Sequence, residues 1–67
     1  YPGSASAHDA LGEAYERNGE LEAAMRAYAK AVDVAARVKD PSLPALERKL
    51  ARLGATVESQ RLGAGGR

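Results

Sequence analysis

Sixty-seven residues, 45 % of them apolar but half of that fraction alanine, make at most one small domain with few bulky side chains to bury. A net charge of +1 gives no case for nucleic acid, and the absence of cysteine removes disulfides, thiolate catalysis and thiolate metal sites. No apolar run approaches the ~20 residues of a membrane-spanning helix, and no signal peptide is visible.

The chain opens on Tyr1 rather than methionine, which reads as a piece of a longer protein. Tyr1-Pro2-Gly3 is a turn-like lead-in, because proline disfavours helix in the residue before it and glycine relaxes the backbone. A first helix follows. Ser6 with Asp9 has capping-box spacing, while Ser4 would start the helix half a turn earlier. Ala7, Ala10, Leu11, Ala14 and Tyr15 then recur at helical spacing and predict its apolar face, and Asn18-Gly19 stops it.

A second helix opens near Glu20 and Glu22, whose charges suit a helix N-terminus. Leu21, Ala24, Tyr28, Ala31 and Ala35 form its main apolar line, with Met25 and Val32 alongside, and it is expected to run to about Val38. Asp40-Pro41-Ser42-Leu43-Pro44 is a tight connection, with Pro44 suited to a first helical turn. The third helix carries a narrow seam of Leu43, Leu46, Leu50, Leu53 and Val57. Gly54 either ends it or survives inside a helix reaching Leu62, and residues 63–67 are a flexible tail. The expected fold is all-α: an antiparallel helical hairpin (4–38), then a linker and C-terminal helix (39–62).

At this level the chain resembles the tetratricopeptide-repeat (TPR) family. His8-x2-Leu11-Gly12-x2-Tyr15 and Ala24-x3-Tyr28 fall on the signature Trp-x2-Leu-Gly-x2-Tyr … Ala-x3-Phe, with Ala31 at a further small position and Asn18-Gly19 at the turn. The match covers residues 4 to about 38. His8 stands where the family has tryptophan, Ala36 where the repeat-ending proline is expected, and the third helix does not restart the motif. The resemblance implies one repeat plus a capping helix, a fragment of a right-handed α-α superhelix, with Tyr1-Pro2 similar to the close of a preceding repeat.

Catalytic constellations are poor. Ser6, His8 and Asp9 form no triad, because neighbouring helical residues point about 100° apart, and His8 has no second ligand one turn away. The expectation is no enzyme activity, no cofactor and no metal. More telling are Asp9, Glu13, Glu16 and Glu20, which share an arc of roughly 60° at ~100° per residue. By the family resemblance, Ser6, Asp9, Glu13, Glu16 and Arg17 match positions lining a peptide groove, and an acidic groove would favour a basic peptide. The same residues also fit a solvated face with a Glu13–Arg17 pair.

The leucine seam is either core, packed on Val32, Ala35 and Val38, or a self-association surface giving a homo-oligomer. Arg48, Lys49 and Arg52 beside it read as a solvated face, since three bases without aromatic neighbours are a weak sign of membrane or nucleic acid. Residues 1–36 carry six acids against three bases, and residues 37–67 seven bases against three acids, so the halves are complementary. These features suggest a protein–protein interaction or scaffold module, binding a peptide or stacking on another helical repeat. A structural, dimerising tail of a larger enzyme is the alternative.

Overall fold

Ser4 sits in extended backbone (φ −71°, ψ 156°), and its Oγ accepts a hydrogen bond from the Ala7 amide at 3.1 Å, fixing where the first helix begins. The computed structural model describes residues 4–65, with side chains described through residue 62; the lead-in 1–3 and the last two residues of the expected tail lie outside the described residues. Three helices follow in order: α1 (Ala5–Arg17), α2 (Leu21–Val38) and α3 (Leu43–Gly65), with no strand among the described residues. The all-α hairpin plus third helix read from the sequence is what forms.

Both turns close in the same way. Gly19, at φ 80°, lets the Glu20 amide reach back to the Tyr15 carbonyl at 2.9 Å and the Gly19 amide to Glu16 at 3.0 Å. Lys39, at φ 55° and ψ 47°, lets the Asp40 amide reach the Ala35 carbonyl at 2.8 Å. These are Schellman-type ends, satisfying carbonyls that a helix terminus would otherwise leave unpaired. The second uses a lysine where glycine costs least. Asp40 then turns the chain into α3, its Oδ1 accepting from the Ser42 amide at 2.9 Å, which also holds its carboxyl below the ordinary value.

Gly54 does not end α3. The helix continues through it to Gly65, three residues into the stretch expected as a flexible tail, because propagating a helix past one glycine costs only about 1 kcal/mol.

The helix in the middle is α2, with α1 and α3 both packed on it. Ala24, Ala31 and Ala35 of α2 are fully buried and let its neighbours approach closely, while Tyr28 and Leu53 supply the bulk. The core has two lobes. Ala5, Ala31, Ala35 and Leu46 form one, with Val32, Val34 and Leu43 against it; Ala24, Tyr28 and Leu53 form the other, with Tyr15, Leu21, Met25 and Leu50 against it. Burying each large side chain contributes ~1.5–3 kcal/mol. Leu46 and Leu53, both 2 % exposed, make the seam of α3 largely core, with Leu43, Leu50 and Val57 half-buried beside them. Val38, expected to pack under α3, is instead 65 % exposed as the last residue of α2.

The apolar face expected for α1 also differs. Ala7, Ala10, Leu11 and Ala14 are exposed, whereas Ala5 and Gly12 are buried against α2. The reason is Tyr28: its ring fills the space that a side chain at position 12 would occupy, so the line through Ala5 and Gly12 becomes the contact. At ~100° per residue the alanines then face away, with Asp9, Glu13 and Glu16 to one side of the contact line and His8, Leu11 and Tyr15 to the other.

Candidate functional site

The acidic side is closed by the chain itself. Lys49 of α3 places its Nζ 2.8 Å from Asp9 Oδ1 and 2.8 Å from Glu13 Oε2, one turn apart on α1. One turn further along α3, Arg52 Nη2 lies 3.2 Å from Glu16 Oε2. Glu16 Oε1 also accepts a hydrogen bond from the Tyr28 hydroxyl at 3.0 Å, and the Lys49 ammonium stands 5.9 Å from the Tyr28 ring centroid. Acids at i, i+4 and i+7 on one helix thus meet bases at i and i+3 on the other.

The electrostatics follow from this geometry. Hydrogen bonds to Asp9 and Glu13 hold the Lys49 ammonium protonated well above its ordinary range. Glu13 is lowered by its bond to Lys49. Burial, reinforced by donation to Glu16, pushes the Tyr28 phenol up to about 12.

An open acidic groove for a basic peptide is therefore corrected: Asp9, Glu13 and Glu16 are brought together, but Lys49 and Arg52 of α3 occupy them. The basic segment that the groove would favour is part of the same chain. Glu20 leaves the arc altogether, standing at the start of α2 and accepting from the Asn18 amide group at 2.6 Å. Ser6 and Arg17 are exposed; Ser6 lines a gap of about 260 Å³ that also touches Asp9, Asp40 and Leu46. Of the three bases expected on a solvated face, Arg48 and Arg52 are exposed while Lys49 is half-buried in its pairing, and Glu13 pairs with Lys49 rather than Arg17. The complementary charge of the two halves carried the signal for this pairing.

The opposite flank of the hairpin is open. On α1, His8, Leu11 and Tyr15 stand at i, i+3 and i+7; on α2, Ala23, Arg26, Ala27 and Lys30 stand at i, i+3, i+4 and i+7. Together they line a groove of about 330 Å³ to which α3 contributes nothing. Leu11, 46 % exposed, stands on its rim beside exposed Ala7, Ala10 and Ala14. Sequence periodicity found these apolar residues but assigned them to the core. No helix among the described residues is long and apolar enough to cross a membrane, and no group of three His, Asp or Glu there is placed to hold a metal ion.

What fold and site define is a three-helix, all-α unit with one hairpin flank paired to its own third helix and, among the described residues, the other uncovered. Comparison with protein-family models, with curated proteins and with solved structures finds no match to this chain.

Proposed function

We propose that this chain is a protein–protein interaction module of the TPR kind, whose open hairpin flank docks a helix of a partner. The observation that carries this reading is the uncovered Leu11, set in a row of exposed alanines beside a groove between two helices. Alanines at 23 and 27 leave room for a third backbone to come close, and an apolar stripe at helical spacing is the surface that helix-in-groove recognition uses. The Leu11-Gly12-x2-Tyr15 and Ala24-x3-Tyr28 spacings support the repeat-like character of the hairpin. In this reading α3 is a cap, since its leucine seam is largely buried in the unit and two of its bases, Lys49 and Arg52, pair with α1.

Selection of a helical peptide library against the chain, followed by amide chemical-shift mapping, tests the reading. Binders should perturb His8, Leu11, Tyr15, Ala23 and Ala27 and lose affinity for Leu11→Glu, a change on an exposed helical position that leaves the fold intact. Binders that map onto α3, or that ignore the substitution, would refute it.

A further inference from the structure

The charges around the open groove say what kind of helix it takes. Arg26 and Lys30 lie one turn apart on its α2 wall, with His8 on the α1 wall opposite. Neither Arg26 nor Lys30 joins an ion pair among the described residues. Of the carboxylates on α1 and α2, Asp9, Glu13 and Glu16 pair with α3, and Asp33 pairs with Arg37 at 3.2 Å. Arg26 is shared with an adjoining recess, where Glu22, one turn before it, stands with Met25, Val57 and Arg61 without forming an ion pair to it; Glu22 does not line the groove itself. The result is a small apolar groove bounded by basic groups and lacking any acid.

Resting on the reading of this flank as a docking surface, we infer that its ligand is an amphipathic helix from another protein, with an apolar ridge and a row of Asp or Glu three or four residues apart alongside it. That row matches the single-turn separation of Arg26 and Lys30, ~5–6 Å along a helix axis. A second copy of this chain fits worse, because its own flank carries the same bases and no acid to set against them. Electrostatic complementarity would supply selectivity and speed of association, while exposed Leu11, with half-buried Tyr15 and Ala23, supplies the apolar contact.

The test uses two synthetic helical peptides with the same Leu/Ala ridge, one flanked by Glu and one by Lys, measured by fluorescence anisotropy against the 67-residue chain. The Glu peptide should bind about tenfold or more tighter, ~1.4 kcal/mol, with the gap narrowing as salt is raised. The double variant Arg26→Glu/Lys30→Glu should reverse the preference, and Leu11→Glu should abolish both complexes, with circular dichroism showing that each variant keeps its helices. Equal affinities, or a preference for the Lys peptide, would overturn the acidic assignment while leaving docking on the flank intact. Failure of both peptides to bind, or insensitivity to Leu11→Glu, would overturn docking as well. Self-association that the Glu peptide does not displace would assign the flank to a second copy instead.

Discussion

A Cβ atom at position 12 would lie 2.7 Å from Cε1 and 2.8 Å from Cδ1 of Tyr28, so the glycine and the ring occupy one shared space. Tyr28 is fully buried, its hydroxyl is tied to Glu16, and the Lys49 ammonium lies near its ring, so it has little room to retreat. The contact sets how closely α1 and α2 approach, and which side of α1 is left to meet α3.

Gly12→Ala is therefore expected to destabilise the chain by ~1–3 kcal/mol despite the better helix propensity of alanine, because overpacking outweighs the propensity gain. Tyr28→Phe should cost ~1 kcal/mol through the lost hydroxyl bond. Urea unfolding of the two variants measures both, and a neutral or stabilising Gly12→Ala would refute the close fit.

The same substitution at Gly54 should have the opposite sign. A Cβ there would meet only Met25 Cε at 3.8 Å, an ordinary contact, inside a helix that runs on for more than two turns. Gly54→Ala should stabilise by ~0.5–1 kcal/mol and raise the melting temperature. A loss of stability would mean that α3 needs the glycine for a bend.

Lys39 adopts a left-handed conformation that suits glycine better. Its side chain is exposed and makes no ion pair among the described residues, so little is lost with it. Lys39→Gly should be neutral to ~1 kcal/mol stabilising, read from the urea midpoint, with relief of strain set against greater freedom of the unfolded chain. A loss clearly beyond that range would point to an unrecognised role for the lysine.

The Lys49 clasp should shape the pH dependence of stability. Glu13 is lowered from its ordinary 4.5, so its contribution is present above that value and is lost as pH falls through the folded one. Lys49 is raised from 10.5 and Tyr28 from 10.0 to about 12, so both contribute fully below those ordinary values and are lost as pH rises through the folded ones. Melting temperature should thus hold a plateau from about pH 5 to 10 and fall on both sides. Lys49→Met should lower the plateau by about 1 kcal/mol and flatten the acid limb. An unchanged acid limb would show that Glu13 is not held by Lys49.

Three helices, their order and most of their boundaries were legible in the sequence, because 3.6-residue periodicity, Asn18-Gly19 and Asp40-Pro41 act locally, whereas of the two candidate starts, Ser4 and Ser6, the structure uses Ser4. The seam of α3 was legible as an apolar stripe, and Leu46 and Leu53 as part of it. Which face of α1 turns inward was not. Periodicity marks Ala7, Ala10, Leu11 and Ala14 as apolar, but alanine gains little from burial, and one buried tyrosine opposite a glycine outweighs three alanines and a single leucine. Nor could α1 alone reveal that Asp9, Glu13 and Glu16 were matched to bases some forty residues away, since a row of acids on one helix reads the same whether water or a lysine stands in front of it.

The sequence by itself determined an all-α chain with two short turns and opposite charge in its two halves. Only the tertiary structure decided that α3 brings Lys49 and Arg52 to α1, which pairs the acidic row with bases at the surface, and that among the described residues the hairpin's other flank is left uncovered with Arg26 and Lys30 beside it. The reason is physical: local signals fix backbone conformation residue by residue, whereas the fate of a face depends on what packs over it, and that is set by long-range contacts of a few bulky or charged side chains.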